Sequence, residues 1–316
     1  MDRIATFTMN PTIDAAYETD RVFHTHKMRT QGEHYDPGGG GINISRVIAR
    51  LGGTARAYYA SGGATGVALD GLLDLHQMVR HRIPIAGSTR ISASLYDRES
   101  GKEYRVVPAG PSFTEEECER CLAEIAQAGC DYFVASGSLA PGVPEDFYVL
   151  ALAACRQRGI RFVLDTSGAA LQATLEAGGV FLVKPSLGEL QSLVGQPLED
   201  LREIADAARA FVRSGQTHYM AVTMGHEGAL LAHGDEVVCL PTIAVKAMSA
   251  VGAGDSFLAA MVFALANGRD VTEAFRYGIA AGAAAVLTPG TDLCRREDVE
   301  RLYREVAPLS AARVIG

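Results

Sequence analysis

The run Val251-Gly-Ala-Gly-Asp-Ser256 passes straight into the apolar stretch Phe257-Leu-Ala-Ala-Met-Val-Phe263. Small residues at a helix start leave backbone N–H groups open to an anion. Asp255 falls in that first turn. A carboxylate beside such a hole is equipped to take a hydroxyl proton while backbone dipoles steady a transferring phosphoryl group. The plainer reading is an acid serving the helix dipole, and a lone Gly-x-Gly-Asp decides nothing by itself. Other polar residues close apolar runs: Ser136 and Ser138 after 132–135, Asp165 after 160–164, Lys184 after 180–183, Thr223 after 218–222. In open α/β sheets ligands bind beyond the carboxyl ends of the strands, so chemistry is expected at these positions.

The elements that must hold these residues follow from pattern. Ile4–Met9 reads as a strand, Ile42–Leu51 as a helix opened by Gly38–Gly41, and Ala55–Ala60 as a strand. Residues 19–35 and 88–108 mix polar and apolar positions with basic ones, as exposed antiparallel strands do. Thr114 and Glu117 form a capping box before a helix bearing Cys118, Cys121, Leu122 and Ile125 on one face. Pro144 marks a helix start running to Arg158, and 198–213 reads as another helix. A hairpin is expected at 228–232 and 236–240, and helices at 253–267, 270–287 and 296–306. Strands alternating with helices imply a parallel sheet covered on both faces. The whole, 1–316, reads as one α/β domain with a small β element built from about 12–36 and 88–108.

Composition narrows the function. The 316 residues carry 29 Lys and Arg against 37 Asp and Glu, a formal charge of −8, with no dense basic run, which argues against a nucleic-acid partner. Apolar stretches are too short and too rich in Ala and Gly to span a bilayer. Met1–Asn10 is charged at Asp2 and Arg3 and does not read as a signal peptide, so a soluble, cytoplasmic protein is expected. Cys118 and Cys121 make a lone CxxC without further ligands at zinc spacing, and read as reduced core cysteines. His24 and His26 would share a face if their segment is extended, and read as surface or interface residues. Gly38–Gly41 lacks Gly-x-Gly-x-x-Gly spacing, and no Walker sequence occurs. Both absences weigh against a dinucleotide oxidoreductase and a P-loop enzyme.

Taken together, Gly38-Gly-Gly-Gly-Ile-Asn-Ile-Ser-Arg46 and Ala250-Val-Gly-Ala-Gly-Asp-Ser256 resemble the two signatures of the PfkB, or ribokinase-like, carbohydrate kinases. The likeness continues through Thr8–Asp14, Ser136–Gly142, Val183–Ser186 and Thr223–Gly228. Pro37–Asn43 and Gly290-Thr-Asp-Leu-Cys294 are similar to the subgroup of minor bacterial 6-phosphofructokinases. The resemblance implies a ribokinase-like fold, a mostly parallel sheet flanked by helices with a small β-sheet lid. It also implies an ATP-dependent kinase with Mg²⁺, acting on a phosphorylated ketohexose. Fructose 6-phosphate is the first expectation, tagatose-6-phosphate kinase and 1-phosphofructokinase the neighbouring ones. A weakly active nucleotide-binding regulator is the reading from another class, opposed by the intact 252–255 turn.

The roles implied by resemblance are as follows. Asp255 is similar to the catalytic base, with Gly252, Ala253 and Gly254 as its anion hole. Asp14, Gly39 and Asn43 resemble the residues that hold sugar hydroxyls, an acceptor, a close-approach glycine and a two-way amide. Lys27, Arg90, Arg105 and Ser138 resemble the cluster for the sugar's existing phosphate, Lys27 reaching toward a partner subunit. Lys184, Thr223, Gly225 and Gly228 resemble the ATP contacts. Ser186 stands where the family has Asn in Asn-x-x-Glu, leaving a Ser-x-x-Glu capping box whose Glu189 is expected to organise Mg²⁺ through water. Carbonyls of Ser249, Val251, Ala285, Thr288, Gly290 and Asp292 resemble a K⁺ site. The subgroup commonly has a basic residue at 292, so Asp292 is expected to add negative charge there. A homodimer formed through the lid is implied as well.

Overall fold

The computed structural model describes residues 3–290, 292–306, 308 and the backbone of 313–314; Thr291 of the 290–294 phrase lies outside the described residues. The chain opens with β1 (Ile4–Thr8) and leaves for a lid as β2 (Thr12–Thr19) and β3 (Gln31–Gly38). It returns through α1 (Gly40–Arg50), β4 (Ala55–Ser61), α2 (Gly63–Leu75) and β5 (Val79–Pro84). A second excursion makes β6 (Arg90–Asp97) and β7 (Lys102–Val106). Helices and strands then alternate: α3 (Glu115–Gln127), β8 (Tyr132–Ser136), α4 (Phe147–Gln157), β9 (Arg161–Asp165), α5 (Gly168–Ala177), β10 (Val180–Val183), α6 (Leu187–Val194), α7 (Leu201–Arg213) and β11 (Thr217–Thr223). A hairpin of β12 (Ala229–His233) and β13 (Glu236–Leu240) precedes α8 (Ala253–Ala266), α9 (Val271–Ala285), α10 (Arg296–Tyr303) and β14 (Arg313–Val314).

The main sheet runs β14-β13-β12-β11-β10-β9-β8-β1-β4-β5, parallel from β11 to β5 and antiparallel from β11 to β14. Inner strands such as β1 and β8 are buried on both faces, which is why they read as short unbroken apolar runs. Alternate residues serve two cores. Phe133, Ala135, Phe162 and Leu164 pack on the side of α3–α7, whereas Tyr132, Val134, Val163 and Leu182 pack on the side of α1, α8, α9 and α10. Strand order turns back between β1 and β8, so the crevice lies there, beyond their carboxyl ends. This is the ribokinase-like arrangement expected, with a four-stranded lid, β3-β2-β6-β7.

The lid differs from the expected antiparallel pattern in two ways. β2 pairs with β6 in parallel, because both leave the main body in the same direction, one after β1 and one after β5. Residues 20–30 form a loop between β2 and β3, not a strand, and Thr25 has a φ of 69°, so His24 and His26 share no strand face. Smaller shifts have local causes. The helix expected from Pro144 starts at Phe147, after a turn closed by Phe147 N–H to the Pro144 carbonyl. That expected from 198 starts at Leu201, because the Asp200 carboxylate accepts from the N–H groups of Arg202 and Glu203. All six cysteines are free thiols, and Cys118 and Cys121 are buried on α3.

Candidate active site

Gly252 caps α8 with a φ of 72°, where a side chain would also lie 2.5 Å from Leu293 Cδ2. The first helical bond runs from Ser256 N–H to the Gly252 carbonyl, leaving the N–H groups of Gly254 and Asp255 without an intrahelical acceptor. Asp255 Oδ2 accepts from Asn43 Nδ2 at 2.8 Å, so the starts of α8 and α1 meet across 212 residues of chain. Burial, reinforced by Asp165, lifts the Asp255 carboxyl to about 6; the Asn43 hydrogen bond and Lys184 oppose this, and Asp14 adds to it. Such a carboxyl is ionised above neutral pH yet holds a proton readily.

The strand ends behave as the topology predicts. Lys184, 6% exposed, sits 3.1 Å from Asp165 Oδ1, and Ser136 Oγ donates to Asp165 Oδ2 at 3.1 Å. Burial alone would lower the Lys184 pKa; Asp165, with Asp255 and Glu189, raises it overall, so this buried amine stays charged. Asp165 and Ser136 were legible only as strand-end candidates, and the structure adds them to the site. Ser186 caps α6: its Oγ accepts from Glu189 N–H, while Glu189 Oε2 accepts from Ser186 N–H at 2.7 Å and Oγ at 2.9 Å. Thr223 lies beside Ser186, its N–H donating to the Pro185 carbonyl, and the turn holding Gly225 and Gly228 follows. A cavity of about 500 Å³ opens here between α5 and α6, lined in part by Gly168, Ser186, Gly188 and Glu189.

The lid supplies the opposite wall. Asp14, Ser92 and Ser94, Arg105 and Asp36 fall on one face of its four strands, because the ladder sets Asp14 beside Asp36 and Ser92, and Arg105 beside Ser94. Burial lifts the Asp14 carboxyl to about 6, against the nearby charge of Arg105 and with that of Asp36. Glycine is required where this wall meets α1: a Cβ at Gly38 would lie 2.0 Å from Asp14 Oδ2, and Gly39 has a φ of 109°. The missing side-chain cap of α1 comes from β1, where Thr8 Oγ1 accepts from Ile42 N–H at 3.0 Å.

The basic cluster expected for a phosphate is only partly assembled. Arg105 faces Asp14. Arg90 donates to the Asn10 carbonyl at 2.8 Å and that of Pro108 at 3.0 Å, which ties together the segments flanking β2 and β7, and its charge also acts on Asp14. Ser138 is exposed on the β8–α4 connection. Lys27 is exposed in the 20–30 loop between β2 and β3.

The resemblance implies two ion sites among these residues. Among the described residues no cluster of three or more His, Cys, Asp or Glu suits a metal ion. Glu189 and the Asp165–Lys184 pair offer sparse oxygen ligation, which suits an Mg²⁺ that keeps waters and arrives on phosphates. For K⁺, the segments before α8 and after α9 are joined by Met248 N–H to the Val286 carbonyl at 2.7 Å, which brings Ser249 and Val251 toward Ala285, Thr288, Gly290 and Asp292. Neutral carbonyls suit such an ion, although the single Thr288 hydroxyl proton is within reach of those of Ala285 and Asp292 and serves one of them. The charge expected from Asp292 is not available to it: its carboxylate bonds Arg50 at 2.7 Å and Arg295 at 3.4 Å.

A family model described as pfkB family carbohydrate kinase matches residues 8–298. The chain belongs to the pfkB family of carbohydrate kinases. This pfkB-family chain is 43% identical over 307 residues to the ATP-dependent 6-phosphofructokinase isozyme 2 of Mycobacterium tuberculosis, covering 96% of this chain and 90% of the relative. It is 30% identical to a 1-phosphofructokinase of Bacillus subtilis over 96% of this chain and 98% of that one. Among solved structures, phosphofructokinase-2 of Escherichia coli in complex with potassium superposes with a TM-score of 0.93 at 36% identity, covering 98% and 100% of the two chains. The same protein with fructose-6-phosphate gives 0.91 at 35% identity over the same shares. Among the described residues no helix is long and apolar enough to cross a membrane.

Proposed function

We propose that this kinase transfers the γ-phosphoryl group of ATP to the free primary hydroxyl of fructose 6-phosphate, giving fructose 1,6-bisphosphate. The observation that carries this is Asp255: a carboxyl raised to about 6 at a helix N-terminus, between the polar face of the lid and the strand-end cation Lys184. Both the 6-phosphofructokinase relative at 43% identity and the likeness to a structure holding fructose-6-phosphate support the choice of substrate.

In this reading Asp14 and Asn43 orient the sugar hydroxyls, Gly39 lets the sugar approach the backbone, and Arg105 holds the existing phosphate. Arg90 and Ser138 frame that end of the site. Asp255 accepts the proton of the attacking hydroxyl, and the N–H groups of the 252–255 turn, with Lys184, face the negative charge of the transferring group. The turn of Thr223, Gly225 and Gly228 borders the nucleotide. Mg²⁺ would be held by Glu189 through water and would neutralise phosphate charge when bound. K⁺, held by carbonyls of Ser249, Val251, Ala285, Thr288, Gly290 and Asp292, would reinforce the start of α8. Closure of the lid excludes water.

The test is a coupled assay over fructose 6-phosphate, tagatose 6-phosphate, fructose 1-phosphate and ribose. The highest kcat/KM is expected with fructose 6-phosphate; a preference for fructose 1-phosphate would favour the second reading, for which the 30% identical relative speaks.

The lid's other face supports a reading of the assembly. Ile91, Leu95, Tyr17, Tyr35, Tyr104 and Val106 line it by register, and Val106 is 66% exposed. We infer a homodimer in which two lids cover these faces and the 20–30 loop carries Lys27 to the partner's site.

A further inference from the structure

Resting on the reading of Asp255 as the base, we propose that Arg46 is a positioning residue for it, acting through Asn43 and anchored by Asp36 of the lid. Asn43 and Arg46 are three residues apart on α1 and so share a face. Arg46 is buried, 3% exposed, and its guanidinium makes three hydrogen bonds: Nη2 donates to Asp36 Oδ1 at 2.7 Å, and Nη1 to the Pro37 carbonyl at 2.9 Å and to Asn43 Oδ1 at 3.4 Å.

An asparagine amide has one accepting end and one donating end, and both ends of Asn43 are assigned by charge. Guanidinium only donates and carboxylate only accepts. With Oδ1 turned to Arg46, Nδ2 is left for Asp255 Oδ2 at 2.8 Å. A flipped amide would set donor against donor and acceptor against acceptor. Asp36 and Pro37 lie on β3, so the lid strand fixes the guanidinium that fixes the amide that fixes the base. Asp36 is also faced by His34 at 3.0 Å and His76 at 3.7 Å, and Arg46 feels Arg50 and Asp292 as well. The charged groups facing Asp255 itself are Asp165 from β9, Lys184 just past β10 and Asp14 from β2.

The experiment is a double-mutant cycle on the full-length enzyme. Arg46→Lys keeps a positive charge for Asp36, but one ammonium cannot serve Asp36, Pro37 and Asn43 together. With fructose 6-phosphate and ATP, kcat is expected to fall about 10-fold, as for a reacting group held loosely, with the KM for ATP nearly unchanged. The acid limb of the kcat profile should move to higher pH, because the Asn43 hydrogen bond holds the Asp255 carboxyl down. The double variant Arg46→Lys with Asn43→Ala should be no slower than Asn43→Ala alone. Losses that multiply, or an acid limb that stays in place, overturn the proposal and leave Arg46 as a tie between lid and body. If Arg46→Lys does not fold, the neutral pair Asp36→Asn with Arg46→Gln carries the same cycle without a stranded buried charge. Asp255→Asn run in parallel separates the premises: full activity in that variant sinks the base itself, whatever Arg46 does.

Discussion

Asp255 and Asp14 are held in a state that costs stability and suits the chemistry proposed for them. Each carboxyl is lifted to about 6 chiefly by burial. A raised carboxyl contributes stability below its unfolded value, near 4, and that contribution is lost as pH rises through 6. At pH 7.5 both are ionised in the fold at a cost. Asp255→Asn is therefore expected to lower kcat by about 10² or more while raising stability at pH 7.5 by up to about 3 kcal/mol, at 1.36 kcal/mol per pKa unit. Thermal melts at pH 7.5 and 3.5 read the second effect, which should vanish at the lower pH. An unchanged kcat would remove Asp255 from the mechanism. In the wild type, kcat/KM should fall as pH drops through about 6, since the base must be free of its proton.

The two lid arginines should separate in the same way. Arg105→Ala removes a charge facing Asp14 and should cost roughly 10- to 150-fold in kcat/KM for fructose 6-phosphate, from about 1.5–3 kcal/mol for a charge-assisted contact, with little change in ATP usage or for free fructose. Arg90→Ala should lower the melting temperature as well, because its bonds go to the Asn10 and Pro108 carbonyls. Equal losses on both sugars for Arg105→Ala would make it structural too. The 252–255 turn was legible because its residues are contiguous. The roles of Asp165, Asp36 and Arg46 were not legible because their partners arrive from other elements, as Lys184 does on Asp165 and Arg46 of α1 on Asp36 of the lid.

At the scale of elements, the capping box on α6 decides what Ser186 does. Ser186 and Glu189 satisfy each other's end of the helix and thereby hold the carboxylate proposed for Mg²⁺. Ser186→Ala is expected to cost about 1 kcal/mol and to raise the KM for MgATP. Ser186→Asn should keep the cap and tighten use of MgATP, since an amide offers donor and acceptor. Worse MgATP usage in the Asn variant would mean that the site is built around Ser. The same device explains which helices could be read. The box at Thr114 and Glu117 announced α3, and it is present in the fold. α2 and α5 gave no such signal: both begin with Gly at positive φ and neither has a side-chain cap bond. β5, Val79–Pro84, carries arginines at alternate positions and looks like surface, because it is the edge strand of the sheet.

For the whole molecule, the lid is a sheet with two unlike faces, and the proposed dimer rests on that difference. One face carries Asp14, Arg105 and Asp36 toward the site; the other carries Ile91, Tyr35, Tyr104 and Val106, which are exposed. The sequence showed the mixture of polar and apolar residues but not its sorting, since sorting depends on the parallel pairing of β2 with β6. A sheet with an apolar face and two open edges invites pairing, and a second copy of the same lid offers the matching surface. The protein is therefore expected to sediment at twice the mass of one chain. Ile91→Asp combined with Val106→Asp should give a monomer, because two charges would be buried without partners. Its kcat/KM for fructose 6-phosphate should fall by more than that for ATP, since a monomer lacks the partner's Lys27. Lys27→Ala in the intact dimer should reproduce part of that loss. A double aspartate variant that still sediments as a dimer would put the interface elsewhere, and a Lys27→Ala enzyme with unchanged kcat/KM would detach the loop from the site.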